Sequence, residues 1–544
     1  MDASTPTIPP TIARHFREIL LWPLQLQPLE DRHQIQRHWE QLDAADSPWV
    51  EIQDDFADPD HFKARRYSEF VAFLPAVQRF LYGEGRDGQH CPSPIRVYGR
   101  SDIAAVRLVF KDNTNIAPVT LNIAHIKLYF FYDVDVVILV IETFADDLPL
   151  NVVQEILYRF GRSYPSSWDQ QGQGDHCLAR VEWLSTEGVP LATSDYENRE
   201  KFLTFVCRQK AAPISADWEF LLAPMVLDAS EQAGVLRYRQ LEYNRTPLMA
   251  YLAVDNPQSL SRADFVRLCW STRADEQRNR LPFSERFLEH FEDEFCYDRY
   301  WGVKHPFAAN TRFLCSGHAF VMVGEANHPF FTDNEHGLLG QFRRQYFLVG
   351  LIAHFHKAAL LMFGDRLAGA VNRLDIRDAE NVKRFKRTTR QLFEIFLRFT
   401  HRYWFHEVST QSDARALFDM YHKHHNTHVL YDDISTEVQD MAQYIDSDGL
   451  RRQANTVVRL TVVTTFGLIG TATGGFLGMN LISAADDPLY MKVLYFLLAF
   501  APTYAITIYT VMISKRLSDL LEALSDERFS LKEKVKMMGR AWFS

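Results

Sequence analysis

Two charge-free stretches close to the C-terminal end constrain this chain more than any other feature. Residues 460–480 read LTVVTTFGLIGTATGGFLGMN and residues 493–514 read VLYFLLAFAPTYAITIYTVMIS. As helices rising ~1.5 Å per residue, each reaches roughly 30 Å, the thickness of a bilayer's hydrocarbon core. Two buried helices of a soluble domain, joined by only a dozen residues, would need an unusually large core around them. The pattern therefore predicts a membrane hairpin of two transmembrane helices.

Flanking charge orients the hairpin. Arg451, Arg452 and Arg459 precede the first stretch and Lys515 and Arg516 follow the second, whereas the intervening LISAADDPLYMK carries Asp486, Asp487 and one cation, Lys492. The excess of Lys and Arg predicts both outer flanks in the cytoplasm and the short loop outside. The opening MDASTPTIPPTIARHF lacks the basic-then-apolar order of a signal peptide. The expected location is thus the inner or plasma membrane, with both termini and the large region before the spans cytoplasmic.

The first stretch is unlike an ordinary lipid-facing helix. It holds Thr461, Thr464, Thr465, Thr471 and Thr473, with glycines at 467, 470, 474, 475 and 478. Small residues permit close helix approach, and hydroxyls suit a helix–helix seam or a wet lumen. The second stretch is bulkier, with a kink expected at Pro502. One helix per subunit encloses no pore, so a channel would require an oligomeric ring.

Elsewhere the composition mostly excludes. With 544 residues, a formal charge of −10 and a pI near 6.1, no basic face points to nucleic acid. The six cysteines, Cys91, Cys177, Cys207, Cys269, Cys296 and Cys315, are dispersed without CxxC spacing, which predicts reduced, buried thiols rather than a zinc ribbon or disulfides. No Walker loop, GxGxxG, HExxH or GxSxG stands in a usable context, so no enzymatic activity and no catalytic cofactor are expected.

At the outer end of the first stretch stands Gly478-Met479-Asn480, followed by a second span about a dozen residues later. In this position, with this topology, the chain resembles the CorA-type family of divalent-cation channels. The resemblance covers roughly residues 428–516. It implies a homopentamer whose first spans line a central pore, with five Asn480 carbonyls ringing the outer mouth and Gly478 letting the backbone turn toward the axis. A helix C-terminal cap is the alternative role for Asn480. Counted back from Asn480, the resemblance also puts Thr471, Leu468, Leu460 and Val457 at pore-facing positions, with Thr464 as a further hydroxyl. Asn455 matches a family asparagine if one residue is deleted here. Spacings of nine, three, eight and three residues predict Asn480, Thr471, Leu468, Leu460 and Val457 near one face of the helix, with helix packing as the alternative for each pore-lining position. Asp486 and Asp487 would attract cations to the mouth, or simply form a solvated turn before Pro488.

The chain also departs from the family. The middle of the first span reads Leu468-Ile469-Gly470 where many relatives have proline, and about 28 residues follow Lys515-Arg516 in place of a terminal lysine cluster. The region before the spans is larger than the family's usual cytoplasmic domain.

Upstream of the first span, Leu430, Ile434, Val438, Met441 and Ile445 recur at helical spacing, predicting a stalk helix from about Val429 with a weak point at Gly449. Asp432, Asp433, Glu437 and Asp440 decorate it, together with Asp446 and Asp448. The resemblance makes the first four candidates for a regulatory magnesium site between subunits; a solvated helix face is the simpler reading. His422, His424, His425 and His428 just before the stalk predict a polar inter-helix loop, with transition-metal binding as the alternative. Helices are expected near 337–363, 381–405 and 149–160, and strands at 105–110, 126–132, 136–144 and 178–184. Residues 215–335 suggest only mixed short elements.

The expected fold is therefore a membrane protein with a cytoplasmic α/β domain (1–335), a cytoplasmic helical region (336–428), a stalk helix (429–459), a pore-lining span (460–480), an external loop (481–492), a second span (493–514) and a cytoplasmic tail (515–544). The expected function is a pentameric magnesium channel in the bilayer, with cobalt, nickel and zinc as open alternatives for the transported ion and no nucleic-acid partner. A zinc-transporting relative of the same superfamily, or a membrane-anchored sensor with a ligand-binding cytoplasmic domain, are the other readings.

Overall fold

A computed structural model describes residues 11–29, 37–43, 47–52, 64–86, 89–111, 114–274, 280–305, 308–372, 374 and 379–481. Near the end it also describes 488–495, 497–498, 500–502, 504–506 and 509. Contacts divide the chain into two units, Met1–Val438 and Gln439–Ser544.

The first unit is built on one large mixed sheet. Its strands are β1 (Ile12–Leu26), β2 (Ala105–Val109), β3 (Val119–Phe131), β4 (Val136–Pro149), β5 (Arg180–Leu184), β6 (Pro190–Thr193), β7 (Leu248–Val254), β8 (Cys296–His305), β9 (Ala308–Cys315) and β10 (Ala319–Glu325). Their spatial order is β6-β5-β2-β3-β4-β1-β7-β10-β9-β8. β4 begins VVILVI because both of its faces are buried, and such strands run apolar instead of alternating. β1 lies antiparallel to β4 on one side and to β7 on the other. Pro23 interrupts β1 at a point where it does no harm. The β7 pairing ends at Leu20 and a pairing with Arg237–Gln240 starts at Leu24, so no ladder bond is asked of Pro23 on that side.

Each face of the sheet carries helices. On one face Phe16, Leu20, Trp22, Leu139, Ile141, Leu252 and Val321 join the core completed by α2 (Leu150–Arg159), the short helix Ala216–Leu222 and α3 (Arg262–Trp270). On the other, the alternate residues Ile19, Leu21, Ile138, Val140, Met249 and Met322 are buried, and α4 (Phe347–Asn372) packs across β1 and β4. Phe355 of α4 stacks on Phe131 with ring centroids 3.9 Å apart. A Cβ on Gly350 would stand 2.9 Å from Met249 Sδ and 3.2 Å from the Tyr421 hydroxyl, so the absent side chain is what admits this close approach.

Three further helices follow: α5 (Ala379–Arg402), α6 (Ser412–His425) and α7 (Thr427–Leu481). The β3–β4 turn grips α4 and the end of α5. Asp133 accepts hydrogen bonds from Arg402 Nη1 at 2.6 Å and the Tyr403 hydroxyl at 2.7 Å, and Asp135 accepts one from Arg366 at 2.6 Å. In the second unit, α8 (Leu489–Ile506) is a separate apolar helix.

Several expectations change. Residues 1–335 and 336–428 pack as one unit, because α4 covers the sheet. Residues 215–335 supply six strands of that sheet, two of them the short Val226–Leu227 and Arg237–Gln240. β1, unforeseen, lies at its centre. The histidine segment is not a loop: His422, His424 and His425 occupy the last turn of α6, closed by Asn426 in the left-handed conformation (φ 55°). α7 starts at Thr427, close to the expected Val429, and continues through Gly449 and the whole of 460–480. The five described thiols are free. Cys177, Cys269 and Cys315 are buried and Cys296 is half-buried, but Cys207 is exposed.

Candidate functional site

The residues that the resemblance singles out fall on one element. α7 carries Asn455, Val457, Leu460, Thr464, Leu468, Thr471 and the tripeptide Gly478-Met479-Asn480, and ends one residue later at Leu481. Asn455, Leu468, Gly478, Met479 and Asn480 are placed by their backbone, with side chains outside the described residues. Asp486 and Asp487 lie outside the described residues altogether, as do 515–544.

At ~100° per residue, an unbroken helix puts positions 457, 460, 464, 468 and 471 within an arc of about 80°. Position 480 falls about 180° from position 471, and position 455 falls on the same side as 480. One common face is therefore not what α7 presents. Val457, Leu460, Thr464, Leu468 and Thr471 form one stripe, and the two asparagines lie opposite it. The cause is the nine-residue step between 471 and 480, which is two and a half turns of helix.

The described side chains of the stripe are exposed: Val457 by 61% and Leu460 by 62% of their surface. The threonines hydrogen-bond to the carbonyl one turn back, Thr464 to Leu460 at 2.6 Å and Thr471 to Gly467 at 2.8 Å, as Thr461 does to Val457 at 2.9 Å. A hydroxyl satisfied in this way tolerates an apolar surrounding, yet its remaining lone pair still accepts from water.

Among the described residues, two helices are long and apolar enough to cross a membrane, by length and composition. Residues Leu338–Asn372, which include α4, are 78% buried against the sheet, as expected of a core helix; α8 is 0% buried. Along α8, Leu489, Tyr490, Leu494, Leu497, Leu498, Phe500, Tyr504 and Ile506 are all exposed, and exposed apolar side chains grouped in this way mark contact surfaces.

On the stalk part of α7, Ile434 and Val438 are buried, so the apolar seam packs as its spacing required. Ile434 approaches Gly364 of α4, and Tyr431 stacks on Trp404 with centroids 4.7 Å apart. Asp432, Asp433, Glu437 and Asp440 are exposed on the outer side. Among the described residues, no group of three or more His, Cys, Asp or Glu is arranged to hold a metal ion.

His422 and His425 form a buried cluster with His354 and His356 of α4 instead, whereas His424 is half-buried and His428 exposed. His356 on α4 donates Nε2–H to the Tyr403 carbonyl at 2.6 Å, and its Nδ1 faces His422 Nε2 at 3.3 Å. His425 donates to the Gly317 carbonyl at 2.9 Å. Burial lowers the pKa of His422 to about 4 and of His354 to about 3, and holds His356 and His425 well below the ordinary imidazole value. They are neutral packing groups in an aromatic core that includes Trp404 and Phe418. A string that reads as polar is buried because a neutral imidazole with one hydrogen bond packs like an aromatic ring.

No protein-family model, no curated protein and no solved structure matches this chain.

Proposed function

We propose that the chain is a subunit of a divalent-cation channel in a membrane, with magnesium as its first candidate cargo. The observation that carries this reading is the position of Gly478-Met479-Asn480 at the last turn of a helix whose preceding 18 residues are free of charge. α8, apolar and uncovered, supplies the second crossing.

In this reading the Val457–Leu460–Thr464–Leu468–Thr471 stripe faces the axis of a ring of subunits, a pentamer by the resemblance. Hydroxyls of Thr464 and Thr471 offer oxygens to a hydrated ion, and rings of Leu460 and Leu468 close the path by dewetting. Asn480 carbonyls at the mouth would hold the ion through its water shell, which magnesium surrenders reluctantly; neutral oxygens permit release where carboxylates would retain. The helical register adds a condition. For Asn480 to join the stripe's lumen, the last turn at Gly478 must unwind.

Magnesium flux into proteoliposomes tests the proposal. The intact chain is expected to pass the ion, and Asn480→Ala to lose at least tenfold at equal reconstitution. Leu460→Asn, which wets the constriction, is expected to raise basal flux severalfold. A chain that passes no divalent ion at any magnesium concentration refutes the reading. Flux of zinc but not magnesium would move the assignment to a zinc transporter.

A further inference from the structure

A cleft of about 460 Å³ opens in the first unit between α1 (Pro75–Tyr82) and the segment that follows α5. Its aromatic lining includes Phe80 and Trp404, and its polar lining includes Arg79, His401, Arg402 and His406. Two carboxylates also reach it. Glu407 is paired with Arg415 at 3.5 Å, leaving Glu84 as the acid to be offset. The Arg79 side chain makes no hydrogen bond or ion pair among the described residues. Arg402 gives Nη1 to Asp133, and its side chain remains 56% exposed. Donors without acceptors therefore dominate a recess with an apolar floor.

We infer that this cleft binds a small organic anion, a flat apolar body bearing a phosphate or carboxylate. The guanidiniums of Arg79 and Arg402 match such a group by planar, charge-assisted hydrogen bonding. The ring system would rest against the aromatic lining, as ligand bodies do in mostly apolar pockets.

The cleft is also positioned to signal. Trp404, part of its lining, stacks nearly parallel on Tyr431 of α7, with an angle of 13° between the rings. Phe80 is packed edge-on against Phe405 and tilted against Tyr403, whose hydroxyl is held by Asp133. An occupant would thus touch a residue in direct contact with the root of the helix assigned above to the ion path. This coupling rests on that assignment; the binding site does not.

Titration calorimetry on the full chain in detergent separates the two. The probe is phenyl phosphate, with benzoate and inorganic phosphate as further arms. Saturable phenyl phosphate binding, weakened at least tenfold by Arg79→Ala and partly restored by Arg79→Lys, supports the site; an unchanged melting curve shows that the variant is folded. Benzoate binding as tightly would identify the carboxylate, not phosphate, as the group recognised. No saturable heat with either aryl anion at millimolar concentration, equal affinity in Arg79→Ala, or inorganic phosphate binding as tightly as phenyl phosphate would overturn it. In proteoliposomes, a twofold or larger change in divalent flux on adding phenyl phosphate supports the link through Trp404, and binding with unaltered flux refutes that link. Absence of flux under every condition defeats the ion-path reading alone, since calorimetry still decides the site.

Discussion

Glu18 sits in the middle of β1 with both carboxyl oxygens buried and without a hydrogen-bond partner among the described residues. Burial raises its pKa to about 8, against a smaller opposing pull from Arg245. In the unfolded chain the same group titrates near its ordinary 4.5. Its contribution to stability is therefore complete below pH 4.5, declines by about 1.4 kcal/mol per pH unit above that, and is lost as pH rises through about 8. Glu18→Gln carries no such charge. Its advantage over the native chain in thermal melts should grow between pH 5 and pH 8 and level off beyond. A difference that does not vary with pH would show that Glu18 is ionised in the fold. This residue also explains part of what the sequence concealed. Arg14, His15, Arg17 and Glu18 make the start of β1 look like a solvated segment. Yet Arg14 pairs with Asp147 and Asp255, His15 with Asp146, and Arg17 with Glu142, partners 125–241 positions away. Charges neutralised across the sheet leave no local trace in the sequence.

At the scale of elements, period and length were legible and polarity misled. The apolar runs of β2, β3, β4 and β5 and the long helices α4 and α5 stand where spacing put them, because each buries a face that repeats along its own sequence. The α6 histidines look polar in the string because their partners, His356, Gly317 and the rings around them, come from other segments. α7 posed a different problem: the tripeptide was legible as a string, but its register was not, since nine residues fit no whole number of turns. That register makes Gly478 the testable position. Gly478→Ala removes the residue best able to leave the helix, and favours helical backbone by ~1 kcal/mol. If Asn480 must swing to the axis, this variant should assemble normally yet conduct several-fold less. Unchanged conduction would mean that Asn480 acts from the helix, or not at all. On α4, Gly350→Val would force a branched side chain against Met249 and Tyr421 and should destabilise the first unit by ~2 kcal/mol in denaturant titrations.

Across the whole molecule, the division at Val438 separates a unit with an extensive core from one whose described α8 side chains stand uncovered. Residues 1–438 alone should stay in solution without detergent and melt cooperatively, whereas the full chain should need detergent or lipid. Aggregation of the shorter chain would show that its core depends on the rest. The strand order also sets a timetable. β1 must wait for β7, more than 220 residues later, and β10 finishes the sheet at Glu325. α8 begins 164 positions beyond that, at Leu489. At ~5–20 residues per second, roughly 10–30 s of synthesis separate the two, long enough for a sheet of this size to close on the ribosome. Should α8 enter a bilayer, it would do so only after every residue of that sheet has left the ribosome.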